Sequence, residues 1–372
     1  MKYKNIIDFY MMINNLKDIK FYDKETVANH IYGAMMLAVG INSEYKISNN
    51  LGIVIEEILL KSLIKNNLDK VNHHFSSLDF DGYDTDRYKK SKKHLNLFHK
   101  VDTKYSPYMD DNTLFAFECL RLENVLSNSM NKTSLVFKVI DKEYSNFGPD
   151  YEFVESGLDE KKNKNIIKFI NLNNSLKSKV RTGWDDEHWN IKGEREKIAE
   201  HVVGTIGLAI AFDMYSDTKV DISKVVTMLA LHEIGEIIIG DITPFDNVTK
   251  AEKKKIEHVA MKEVLASLKN KDELFNLLLE FDEQETAEAK FAHMCDKLEA
   301  DIQSKIYYEK GLHHDLDDQK NNVVFRNEKA KEMLKDAKNP FDIWYSWDSS
   351  IYVESNSFSN TLEYVKKNNI KG

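Results

Sequence analysis

Residues 229–244 read LALHEIGEIIIGDITP. Apolar residues from Ile222 to Ile239 recur at spacings that predict one helix, which Gly240 and Asp241 end and Pro244 keeps from resuming. His232 and Glu233 are adjacent in it. Neighbouring helical residues point ~100° apart, so these two can approach one ion only from two sides of a corner. Glu236 follows His232 by one helical turn, which predicts the same face. Asp241 stands in the turn beyond.

The pattern extends outward from this stretch. Upstream, Ile198, Val202, Ile206 and Ala209 recur at helical spacing, with Val203 and Ile210 widening the apolar stripe. Downstream, residues 250–268 and 284–308 read as two more long helices. Only four prolines and fourteen glycines occur in 372 residues, whereas sheets need many tight turns. The fold class expected is all-α. After Pro340, a segment with Trp344, Tyr345 and Trp347 is expected to pack over the core.

Three pairs of segments match in the same order. KNIIDF (residues 4–9) matches KNIIKF (164–169), ETVANH (25–30) matches EKIAEH (196–201), and CLRLE (119–123) matches CDKLE (295–299). Two copies of one helical unit are therefore expected. The second copy carries His201, His232, Glu233 and Asp296. The first keeps His30 but reads LLKSLIKNNL over residues 59–68 and has Leu120 opposite Asp296, and leucine cannot ligate a metal. The expected division is a degenerate, non-catalytic domain over residues 1–135, a linker between 130 and 160, a functional domain over 160–335, and a C-terminal tail over 336–372.

Imidazole nitrogens and carboxylate oxygens together suit one divalent ion: Mn²⁺, Co²⁺ or Mg²⁺ first, with Fe²⁺ or Zn²⁺ as further candidates. The candidate ligands are His201, His232, Glu233 and Asp296. Glu236 and Asp241 add two carboxylates beside the ion, a base for an attacking water and an acid for a leaving oxygen. Each residue alone is ordinary; their ordered combination is the signal.

The ordered run RTGW (181–184), EKIAEH (196–201), LALHEIGEIIIGDITP (229–244) and EAKFAHMCDKLEADIQ (288–303) resembles the HD-domain 5′-deoxynucleotidase family. The resemblance implies an HD-type helical bundle with one divalent metal that removes phosphate from (deoxy)nucleoside 5′-monophosphates, commonly as a homodimer. It implies that His201, His232, Glu233 and Asp296 are the metal ligands and Glu236 and Asp241 the catalytic acids. By the same resemblance Arg181 contacts phosphate and Trp184 packs beside the sugar. Where the family has His-Asp, this chain has His232-Glu233. The first copy is then expected to replace the second subunit as an intramolecular pseudo-dimer, with further oligomerisation left open.

The formal net charge of −9 argues against nucleic-acid binding. Two cysteines fit a reducing compartment. The first twenty residues lack signal-peptide architecture, and no apolar run is read as approaching the ~18–20 residues that span a bilayer. A cytoplasmic protein without membrane contact is expected. The alternatives are a catalytically weak nucleotide sensor or scaffold, and an HD hydrolase of nucleoside triphosphates or cyclic nucleotides. A two-metal enzyme needs extra histidines between the pair and the final aspartate, where only His258 and His293 occur.

Overall fold

The computed structural model describes residues 2–22, 25–69, 111–127, 160–243, 245, 248–319 and 322–370. In chain order the helices are α1 (Lys2–Asn14), α2 (Val27–Tyr45), α3 (Leu51–Asp69), α4 (Asp111–Ser127), α5 (Glu160–Asn173), α6 (Ile198–Tyr215), α7 (Ile222–Leu231), α8 (Glu236–Ile239), α9 (Lys250–Leu265), α10 (Lys271–Glu283), α11 (Ala287–Glu309), α12 (Glu328–Leu334), α13 (Pro340–Asp348) and α14 (Asn356–Lys367). A small antiparallel pair, β1 (Lys20–Tyr22) with β2 (Glu25–Thr26), precedes α2. The expected linker lies almost wholly outside the described residues, as does Pro244.

Local chemistry sets the helix starts. Thr26, Asp221 and Thr286 each accept a hydrogen bond from the third residue on, satisfying a backbone N–H with no partner inside the helix. Asn339 caps α13, with Pro340 in the first turn, where its missing N–H costs nothing.

The first arrangement of the chain recurs in its second half. Val27 N–H donates to Ile19 O at 2.9 Å, and Ile198 N–H donates to Lys179 O at 2.9 Å. Lys20 pairs with Thr26 across β1–β2, and Val180 bridges Lys197 in the same way. The packing is exchanged: α1 lies on α6, and α5 lies on α2. Helix α2 packs with α3 and α4 as α6 packs with α7 and α11, while α2 meets α6 and α3 meets α7 across the middle. The last contact is close. A Cβ on Gly52 would collide with the Ser223 backbone, so glycine there lets α3 and α7 touch.

Residues from all three expected segments build one core, which runs from Ile6 in α1 to Ile370 beyond α14. A smaller aromatic cluster of Trp184, Trp189, Tyr307, Phe325 and Ile343 sits beside it, with Trp344 and Trp347 packed on. The expected C-terminal cover is thus two helices and forms part of both clusters.

Helix α6 corrects the apolar-run reading. It is 18 residues long with mean hydropathy 1.3, which satisfies the length and composition of a membrane span. It is also 83% buried within this fold and carries Glu200 and His201, as a central core helix does.

The single helix expected over 222–239 is also corrected. It stops at Leu231, and residues 232–235 form turns before the short α8. Ile234 N–H bonds to Leu231 O, and Glu236 N–H to Glu233 O. These are three-residue steps, tighter than the α-helical four. His232 Nδ1 also bonds to Leu229 O at 2.7 Å, tying its ring to the last helical turn.

Candidate metal centre

Four side chains from three elements converge. His201 comes from α6, His232 and Glu233 from the turn after α7, and Asp296 from α11. One ligand atom from each lies within 4.8 Å of the others. His201 Nε2 is 3.0 Å from Asp296 Oδ1 and 3.6 Å from Glu233 Oε1. His232 Nε2 is 3.4 Å from Glu233 Oε1 and 3.7 Å from Asp296 Oδ1. Ligands roughly 2.0–2.2 Å from one ion sit at about such mutual separations.

The donor set fits a divalent cation on a further ground. His232 spends Nδ1 on Leu229 O, and its buried Nε2 has no hydrogen-bond partner. A buried polar atom without a partner calls for an explanation, and an ion at the focus of the four ligands supplies one. Burial opposes charge on His232, but Glu233 and Asp296 outweigh it and raise its pKa to about 10. The pocket thus already favours positive charge. Glu233 shows that a glutamate beside His232 reaches the centre.

His201 is aligned by the residue behind it. Its Nδ1 lies 2.6 Å from Glu299 Oε2. Burial opposes charge on Glu299, yet Lys17 and His201 outweigh it and hold its pKa below the usual carboxylate range. An ionised carboxylate only accepts, so Nδ1–H donates and the Nε2 lone pair turns to the cluster. Glycine at 204 makes room for this carboxylate, because a Cβ there would collide with Glu299 Oε1. Arg181 Nη1 lies 3.0 Å from the same His201 nitrogen and within 4 Å of Glu196 and Glu299.

Glu236 is buried at the start of α8, and its Oε2 has no hydrogen-bond partner. Burial first, then Glu233 and Asp241, push its pKa well above the usual carboxylate range. Asp241 accepts from Thr182 N–H at 2.7 Å, and its carbonyl accepts from the Thr182 hydroxyl at 2.8 Å. These bonds join the RTGW turn to the turn after α8. Trp184 is 1% exposed. Its indole N–H donates to Glu196 at 3.0 Å, and Trp344 stacks on its ring with centroids 4.8 Å apart.

Reasoning from sequence gave no site role to Glu196, Glu299, Lys17 or Trp344, although it expected the segment with Trp344 to pack over the core. Lys17 Nζ bonds to both Glu196 and Glu299. Two of these residues had a signal: the repeat pairs Glu25 with Glu196 and Glu123 with Glu299. His258 is turned aside by its bond to Asp282 at 2.7 Å. His293 is half-buried, desolvation lowers its pKa to about 4, and it is not among the residues that cluster around the centre.

The corresponding positions of the first half differ. Lys17 matches Lys177, and on that register Phe21 stands where the second half has Arg181. Its ring stacks on His30 with centroids 4.1 Å apart. Counting on from Val27 and Ile198 without a gap, Lys61 and Ser62 fall opposite His232 and Glu233. Leu120 is buried opposite Asp296.

A family profile described as HD domain matches residues 173–337. The 5′-deoxynucleotidase HDDC2 of Danio rerio is 34% identical over 147 residues, covering 39% of this chain and 70% of that protein. HDDC2 of Homo sapiens is 31% identical over 146 residues, covering 39% and 69%. The 5′-deoxynucleotidase hdd1 of Schizosaccharomyces pombe is 30% identical over 162 residues, covering 42% and 78%. The matched region contains all four clustered ligands, Arg181, Glu236 and Asp241. The chain belongs to the HD-domain family of phosphohydrolases and is a relative of the HDDC2 5′-deoxynucleotidases.

Proposed function

We propose that this chain removes phosphate from deoxynucleoside 5′-monophosphates with the help of one divalent cation. The observation that carries the reading is the focus of His201, His232, Glu233 and Asp296 beside Arg181, Glu236 and Asp241, in a relative of 5′-deoxynucleotidases. His201, His232, Glu233 and Asp296 hold the cation, which, when bound, supplies positive charge that polarises the phosphoryl group.

The chain's own residues do the rest. Arg181 stays charged, since Glu196 and Asp241 outweigh its burial, and it offers a planar donor fork to phosphate oxygens. Hydrolysis forms one bond from water oxygen to phosphorus and breaks the bond to the 5′-oxygen. One proton leaves the water, and one reaches the departing oxygen. Asp241 takes the first, and Glu236, whose burial favours its protonated form, delivers the second. Trp184 forms the wall beside the sugar. Trp344 covers its ring, so the sugar meets Trp184 after Trp344 shifts or at the ring edge.

Residues 1–135 are, on this reading, a degenerate copy of the unit in 160–335. The recurring arrangement and the exchanged packing of α1 on α6 and α5 on α2 support this. The first half then stands where a dimeric relative would have its second subunit. A cytoplasmic location belongs to the same proposal.

The test is phosphate release from nucleoside mono-, tri- and cyclic phosphates, with Mn²⁺, Co²⁺ or Mg²⁺ added to metal-stripped protein and Glu236→Ala as control. Metal-dependent release from deoxynucleoside monophosphates that the control loses is the expected result. Release from triphosphates or cyclic nucleotides alone overturns the substrate. Tight nucleotide binding without turnover overturns the enzyme reading in favour of a sensor.

A further inference from the structure

We propose that Lys17, from the non-catalytic half, is a positioning residue for the metal centre of the other half. The inference rests on the reading of His201 as a metal ligand. Lys17 leaves the short turn after α1 and crosses to the second half, where Nζ bonds to Glu299 Oε1 at 2.6 Å and to Glu196 Oε1. Its side chain is 7% exposed, and those of Glu196 and Glu299 are 1% and 0% exposed. Tyr10, also from the first half, donates its hydroxyl to the same Glu299 oxygen at 2.7 Å. The other Glu299 oxygen takes the Nδ1–H of His201. The other Glu196 oxygen takes the indole N–H of Trp184. One ammonium thus anchors the carboxylate behind His201 and the carboxylate behind the RTGW turn.

The mirror-related lysine shows which part of this is structural. Lys177, from the second half, bonds to Glu123 and approaches Glu25 at 3.5 Å in the first half. Glycine at 33 makes room for Glu123 as glycine at 204 does for Glu299. A corresponding lysine–glutamate triad therefore exists twice, exchanged between halves, with Glu25 32% exposed where Glu196 is buried, but behind Glu123 the ligand positions hold Lys61, Ser62 and Leu120. Stability of the fold explains Lys177. Lys17 has the same structural part and, in addition, fixes the orientation of a ligand. Carboxylates that orient a metal-bound histidine are commonly worth about 10–100-fold in metal affinity.

The test uses full-length protein and Mn²⁺ alone, titrated calorimetrically into metal-stripped Lys17→Met, Lys17→Arg and Lys177→Met. The expected result is Mn²⁺ affinity at least about tenfold weaker in Lys17→Met, largely restored in Lys17→Arg, and within about twofold of the parent in Lys177→Met. Both methionine variants should melt earlier. If Lys17→Met does not fold, Tyr10→Phe removes one bond to Glu299 and should weaken Mn²⁺ about threefold or more. Unchanged Mn²⁺ affinity in Lys17→Met, or in Tyr10→Phe where that variant stands in, overturns the proposal. So does an equal loss in Lys177→Met. The readout needs no nucleotide, so the substrate reading can fail while this inference is still decided.

Discussion

His201 Nε2 and Asp296 Oδ1 lie 3.0 Å apart although 95 residues separate them in sequence, and His232 and Glu233 close the same focus from a third element. Four donors held this way gain from an ion and repel one another less with it. Metal stripping should therefore lower the melting temperature. Added Mn²⁺ at about one hundred times its Kd should restore about 2.7 kcal/mol. Asp296→Asn should abolish that response and phosphate release together. A variant that still responds to Mn²⁺ would remove Asp296 from the ligand set.

Gly204→Ala should act on the metal from a distance. The new Cβ would collide with Glu299 Oε1, so the carboxylate must shift and its bond to His201 is disturbed. Mn²⁺ affinity should fall about 10–100-fold. Gly33→Ala meets Glu123 and Lys177 in the same manner. It should cost about 1–3 kcal/mol of stability with Mn²⁺ affinity unchanged. Equal Mn²⁺ losses in the two variants would contradict the difference between the halves.

Asp348 provides a pH-dependent test. It is buried beside Asp301 and Lys297, and burial first of all raises its pKa to about 6. A carboxyl with a raised folded pKa favours the folded state at low pH, and that contribution is lost as pH rises through about 6. Asp348→Asn keeps an acceptor but cannot ionise. It should melt with the parent near pH 4 and above it at pH 8, by on the order of 2 kcal/mol in stability. A melting difference that is the same at both pH values would show that the charge of Asp348 is not what matters.

Trp344→Ala should uncover the ring of Trp184 and loosen the RTGW turn. Loss of a packed tryptophan commonly costs about 3–5 kcal/mol. Phosphate-release kinetics should show a raised KM with a smaller change in kcat, because the turn carries Arg181 but holds no metal ligand. A fall in kcat alone would place Trp344 elsewhere in the reaction.

The convergence of His201, His232, Glu233 and Asp296 was legible in sequence because each has a distinctive side chain in a recognisable order. The helical class was legible from the periodicity of Ile198, Val202, Ile206 and Ala209. The break at His232 was not, because residues 232–239 keep a helical apolar pattern while tighter backbone bonds and the His232 bond to Leu229 end the helix. Glu299 and Lys17 were hidden for a different reason. Their partners lie 98 and 282 residues away; the packing of α6 on α11 joins the first pair, and the exchanged packing of α1 on α6 brings up the second. The signal for the glutamates was correspondence: Glu25 and Glu123 stand at the matching positions of the repeated segments.

The exchanged lysines also bear on inheritance. In an assembly of two identical chains, one codon change alters both sites at once. Here Lys17 and Lys177 are separate codons serving opposite halves. Selection can therefore alter the support behind His201 without touching the other half, a freedom that a symmetric pair of gene products does not have.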